Sequence, residues 1–174
     1  SYFNNVLHIS TEEYGLKYWP QYAENIYAEA GRENNEVYDV LYAGNIGPAA
    51  DVETIVKAAV KLKNKQNIFF HIVGDGLNRG ACEKIAKDNQ LDNIRFYGSY
   101  PVEKMKEFYT KADALLITMK DNQVVNYTLP AKMQSYMLSG KPIIGAINGE
   151  TQRVIHDSRC GYCVNSGEYE ELAN

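Results

Sequence analysis

The residues best suited to chemistry lie in one stretch, Tyr127-Thr-Leu-Pro-Ala-Lys-Met-Gln-Ser-Tyr-Met-Leu-Ser-Gly-Lys-Pro142. Pro130 suits the first position of a helix, where a missing N–H costs nothing. Gly140 suits the C′ stop, and Lys141 and Pro142 prevent continuation. The spacing predicts a helix of about ten residues that buries Met133, Tyr136 and Met137. Lys132 falls in its first turn, among free N–H groups and at the positive end of the macrodipole. A cation is locally unfavourable there. A polar loop, Met119 to Thr128, feeds this helix from an apolar strand, and strand, loop and helix with an added lysine read as an anion site. From this segment alone, a solvated surface lysine is the simpler account.

Further glycine-rich turns follow apolar runs. Gly44-Asn-Ile-Gly47 can face backbone N–H groups toward a phosphate, although an ordinary turn needing positive φ explains it as well. Gly74-Asp-Gly76 is a tight turn in which Asp75 can cap itself. Glu150 opens a helix, where a carboxylate offsets the dipole. His8, His71 and His156 are isolated, and His71, inside an apolar run, reads as a hydrogen-bonded core residue. No Asp-x-Asp and no His/Cys/carboxylate cluster has ligand spacing, so no metal is expected. Cys160-Gly-Tyr-Cys163 has redox spacing but no further ligands, and its cysteines read as small core residues flanking a turn.

The elements that position these residues alternate regularly from Val37. Apolar runs at 37–43, 67–73, 94–97, 114–118, 142–146 and 161–164 predict six strands. Helical spacing predicts helices from about Asp51, through Cys82, Ile85 and Ala86, from Pro101, through the central stretch, over 151–157, and from Glu168. The class is α/β, a doubly wound parallel sheet with helices on both faces. In such sheets ligands bind beyond the carboxyl ends of the strands, where all the glycine turns fall. A net charge of −4 argues against a general nucleic-acid or membrane-surface binder. Three cysteines suit a reducing cytoplasm. No apolar run approaches membrane-spanning length, and no signal peptide opens the chain. Ser1 is not an initiator methionine, so the chain reads as a fragment or a processed product.

Ser139-Gly-Lys-Pro-Ile-Ile144, after a loop and short helix, resembles the nucleotide-sugar half of a family 4, GT-B-type glycosyltransferase. Leu129-Pro-Ala-Lys-Met-Gln-Ser-Tyr136 is similar to a bacterial subgroup making surface and cell-wall polysaccharides. The resemblance implies a donor domain over 36–174, with 1–35 as the tail of an N-terminal acceptor domain and the crossover from it. It implies retaining transfer of a sugar from a nucleoside diphosphate, a UDP-sugar, to a glycan or lipid-linked acceptor, with no cofactor. The place is the cytoplasm, or the inner membrane face if the acceptor or the other half draws the enzyme there. Lys132 is then the catalytic cation that stabilises the departing diphosphate. Gly44, Asn45, Gly47, Gly74, Asp75 and Gly76 border the nucleotide, and the backbone of Tyr97 and Gly98 holds the base. Lys120, Tyr127, Thr128 and Leu129 lie in or beside the loop facing it. Two departures stand out. The family's paired glutamates are replaced by Tyr127 and Ser135, leaving Ser135 or Glu150 to reach the ribose. Its diphosphate-gripping cation near the first glycine turn is replaced by Asn45 and Pro48, leaving Lys132 or Lys120. The alternatives are a sugar-nucleotide epimerase of similar shape and a non-catalytic flavodoxin- or receiver-like module. A receiver needs an acidic cluster that Asp75 alone does not supply.

If Ser135 faces the ribose, Ser135→Glu restores a charge-assisted bond and tightens nucleoside binding, read by calorimetry. Unchanged affinity in a folded variant would mean that the ribose is held elsewhere.

Overall fold

Alternating apolar strands and amphipathic helices fold into one six-stranded sheet in which every neighbouring pair is parallel. The structure, a computed structural model, describes residues 36–174. The expectations for residues 1–35 lie outside the described residues. The strands are β1 Tyr38–Ala43, β2 Ile68–Val73, β3 Ile94–Gly98, β4 Ala114–Thr118, β5 Ile143–Ala146 and β6 Gly161–Val164, in the order β3-β2-β1-β4-β5-β6. Between them run α1 Val52–Lys61, α2 Arg79–Asp88, α3 Val102–Lys111, α4 Gln123–Asn126, α5 Lys132–Leu138 and α6 Gly149–Ser158, with α7 Tyr169–Leu172 closing the chain.

Strand alternation sends side chains into two cores, one on each face. Leu41, Leu115, Ile117 and Ile143 pack with Met105 and Tyr109 of α3, Met133 and Tyr136 of α5, and Ile155 of α6. Val40, Tyr42, Phe70, Ile72 and Leu116 pack on the other face with Ile55, Val56 and Ala59 of α1 and with Cys82 and Ala86 of α2. Every residue of β4 is buried, as a strand covered on both faces requires.

The order of strands reverses between β1 and β4. These two pair only through Val40 with Ala114 and Leu41 with Leu115. Beyond Leu41 they part, and Ala43 has no ladder partner on that side. The Tyr136 hydroxyl fills the gap. It accepts from Ala43 N at 2.9 Å and donates to Ala43 O at 3.2 Å, fully buried. Farther out, Thr118 Oγ1 donates to Ala50 O at 2.7 Å and Lys120 N to Ala49 O at 2.9 Å. The end of β4 is thus tied to the loop after β1 across the crevice where this class of sheet binds ligands.

Three local expectations are corrected. The helix after Pro130 has seven residues, not about ten, because Pro130 and Ala131 form a preceding turn whose Pro130 carbonyl accepts from Met133 N at 2.9 Å. Met137 is 40% exposed, since two turns of helix bury only the Met133 and Tyr136 positions. The polar loop before it contains α4, which Asn122 caps by accepting from Val124 N at 2.9 Å. Gly140 does stop α5, with φ +69°.

Tyr136→Phe leaves two buried backbone groups without a partner. We expect a loss of about 1–3 kcal/mol in urea denaturation, and an unchanged midpoint would contradict this role.

Candidate functional site

Residues 132 and 136 share a helix face, one turn apart. Because the Tyr136 hydroxyl is fixed on Ala43, Lys132 is carried to the next residue along, Gly44. A Cβ on Gly44 would lie 2.6 Å from Lys132 Nζ, so no side chain fits there without displacing the ammonium. The ammonium sits 3.8 Å from the centre of the Tyr42 ring, a cation–π contact. Burial pushes Lys132 down to about 7, and among the described residues it has no carboxylate partner. The lysine is half-buried against Gly44 and Tyr42, not a freely solvated side chain. Tyr42 stays neutral, because burial raises its phenol, and it donates to Asn45 O at 2.7 Å.

The glycine turns interlock beside this lysine. A Cβ on Gly74, where φ is +144°, would lie 1.8 Å from Gly44 O, an impossible overlap. The two turns therefore meet backbone to backbone. Gly44 N donates to Val73 O at 2.9 Å, Ile46 N to Asp75 O at 2.8 Å, and Asn78 N to Ile46 O at 2.9 Å. Asn45, exposed, places its side chain between Gly47 and Gly76. Asp75 accepts from Gly76 N at 2.8 Å and from Arg79 Nη1 at 3.2 Å. A cavity of about 430 Å³ opens here, bounded by Gly44, Asn45, Gly74 and Asp75 on one side and by Ser99, Tyr100, Val102 and Met105 on the other.

The predicted residues divide into two groups. Lys132, Gly44, Asn45, Gly47, Gly74, Asp75 and Gly76 come together as described. Gly98 joins them through its carbonyl, which accepts from Gly74 N at 2.8 Å. Tyr127 is exposed, and the loop around it leans on α6: Thr128 O accepts from Thr151 Oγ1 at 3.1 Å, and a Cβ on Gly149 would strike Asn126 O at 2.2 Å. Leu129 and Ser135 are half-buried. Glu150 is held by Arg153, which donates through Nε at 2.9 Å and Nη2 at 2.5 Å, and that pairing keeps its carboxyl below the ordinary value. Lys120 is exposed and acts on Glu53 at the start of α1. The Tyr97 side chain turns away from the cleft to His71, whose Nδ1 lies 2.8 Å from its hydroxyl. Lys141, inside the Ser-Gly-Lys-Pro phrase, is buried at the opposite edge of the sheet, where Nζ donates to Thr110 O at 3.3 Å.

Sequence reading missed Tyr42, Tyr136 and Tyr100. Fourteen tyrosines were the available signal, and the structure uses several as polar-tipped core residues beside the cleft. A larger cavity, about 630 Å³, opens at the amino edge of the sheet among Val40, Leu62, Phe70, Leu116 and Leu172. It holds none of the predicted site residues, so the smaller cavity at the carboxyl edge is the candidate site.

Over residues 24–174 the sequence matches the family described as glycosyl transferases group 1. The chain belongs to this family. WbjE of Pseudomonas aeruginosa, named as a glycosyltransferase, is 26% identical over 123 residues, 70% of this chain and 30% of WbjE. WcaI of Escherichia coli K12, named for colanic acid biosynthesis, is 28% identical over 101 residues, 58% of this chain and 24% of WcaI. The chain thus spans about a third or less of these relatives. Among solved structures, S. aureus TarM, crystallised with UDP, superposes with a TM-score of 0.71 at 16% identity over 87% of this chain and 30% of TarM. The C-terminal domain of LpcC, a group 1 glycosyl transferase of Francisella tularensis, gives 0.62 at 20% identity over 78% of this chain and 71% of that one. The group 1 fold of this chain is the Rossmann-like C-terminal domain of a GT-B glycosyltransferase.

Lys132 makes stability depend on pH. Its value falls from 10.5 to about 7, so between those limits the native chain binds fewer protons than the unfolded one and stability rises with pH. Lys132→Met removes this dependence. The variant should be more stable than wild type by roughly 1–3 kcal/mol at and below neutral pH, with the gap closing as pH approaches 10.5. Parallel stability curves for the two proteins would contradict the desolvated ammonium.

Proposed function

We propose that this chain is the donor-binding half of a retaining glycosyltransferase that moves a sugar from a UDP-sugar to a glycan or lipid-linked acceptor. One observation carries the reading: a desolvated ammonium without a carboxylate partner, held against a glycine at the topological switch point. An uncompensated buried charge is unfavourable unless a ligand completes it. A diphosphate does so, and it raises the proton affinity of the lysine as it binds. Negative charge on the diphosphate grows as the sugar–oxygen bond breaks, and a cation already in place stabilises that change without reorganising. In this account the cation takes the role that a metal has elsewhere, because the N–H groups of Gly44, Ile46, Gly74 and Gly76, expected to face a phosphate, are already donated to protein oxygens.

The base lies in the cavity walled by Ser99, Tyr100, Val102 and Met105, with the ribose toward α5. Ser135 is its nearer candidate, because Glu150 is engaged by Arg153. A polysaccharide role is supported by a relative named for colanic acid biosynthesis. The acceptor is bound by another half of the protein, in keeping with the greater length of the relatives. The enzyme works in the cytoplasm, and no helix among the described residues is long and apolar enough to cross a membrane.

The test is calorimetry with UDP and uridine on wild type and Lys132→Ala. Loss of one charged contact should weaken UDP roughly ten- to a hundredfold and leave uridine nearly unchanged. Equal losses for both ligands would overturn the diphosphate role, and no UDP binding at millimolar concentration would overturn the donor site itself.

A further inference from the structure

The sheet face under α3 carries a polar relay that the donor cleft does not use. His71 Nε2 lies 2.7 Å from Asp39 Oδ1, and Nδ1 lies 2.8 Å from the Tyr97 hydroxyl. With Nε2–H donating to the carboxylate, Nδ1 accepts from the Tyr97 O–H, and the imidazole is held in one tautomer. Polar groups on a core-facing surface are unfavourable unless they are satisfied or wet. Here they line a cavity of about 260 Å³ rather than packing against the helix.

The opposite wall of this cavity is aromatic. Tyr97 meets Phe108 edge to face at 5.3 Å, and Phe108 meets Tyr100 in the same way at 5.0 Å. Tyr100 is 45% exposed and stands at the mouth. Asp39 Oδ2 and the Lys111 ammonium have no partner among the described residues and offer one acceptor site and one donor of opposite charge. Glu107 is already paired with Lys104 at 2.9 Å. A strongly anionic or polycationic ligand therefore finds no net attraction. The volume falls below the roughly 300–1,000 Å³ typical of drug-sized ligands, which excludes a nucleotide or a longer glycan as full occupant. Aromatic walls suit the C–H face of a ring, and mixed donors and acceptors suit hydroxyl groups, which do both.

We propose that this cavity is a carbohydrate subsite, separate from the donor cleft, that takes one uncharged pyranose ring. Asp39 and Lys111 bind its hydroxyls and Tyr100 stacks on its face. The site lies over the middle of β1 and β2, and only Tyr100 borders both cavities. It does not depend on the donor-site reading.

The test is two-dimensional NMR of the chain titrated with methyl α-D-glucopyranoside and methyl α-D-galactopyranoside, with glycerol as control, each with and without UDP. The expected result is millimolar binding of at least one glycoside, with shifts centred on Asp39, His71, Tyr97 and Phe108, that persists with UDP present. Tyr100→Ala should weaken it roughly two- to tenfold, and Lys111→Ala, an exposed change that leaves the fold intact, should weaken it as well. No shifts with either glycoside, shifts abolished by UDP, or the same pattern from glycerol would each overturn the subsite. Absence of UDP binding in the same titration would count against the donor reading alone.

Discussion

The structure turns on the parting of β1 and β4. A doubly wound sheet must open where its strand order reverses, and opening leaves the last backbone groups of a strand without a ladder. The single hydroxyl of Tyr136 answers both groups of Ala43. That contact fixes the position of α5 and, through one helical turn, the position of Lys132. The loops then close around the lysine. Gly44 leaves room for its ammonium, Gly74 lets the second turn reach Gly44, and Tyr42 lies beneath.

This arrangement lowers the stability of the empty protein. An ammonium withdrawn from water without a carboxylate destabilises the empty protein, and the same desolvation strengthens its attraction for an anion in the cleft. A surface lysine would give a more stable fold. Its location at the end of a seven-residue helix also moves the emphasis away from the helix dipole.

Much of this was legible in the sequence. Apolar runs marked all six strands within a residue or so; the signature is continuous in β4, which is buried on both faces, and glycine ends the runs of β1, β2 and β3. The anchoring residues of α1, Val52, Ile55, Val56 and Ala59, were readable from spacing alone. The site was only half legible. Lys132 was identifiable as a cation at a loop–helix junction, but its burial depends on Tyr42 and Gly44, far away in sequence. Tyr136 looked like one more core residue, because nothing local shows that β1 will leave β4 after Leu41. Glu150 reads from sequence as a first-turn carboxylate or a ribose partner, and Arg153, three residues on, holds it. Met137 and α4 were misjudged for a local reason: short helices end where capping and tertiary contacts decide, and periodicity over two turns is too brief to say.

The most direct test of the account is the titration of the Lys132 side chain by NMR, followed in the free protein and with UDP or uridine. The account predicts an ammonium that titrates at about 7 in the free protein, moves upward with UDP and stays in place with uridine. Titration near the ordinary 10.5 in the free protein would contradict it.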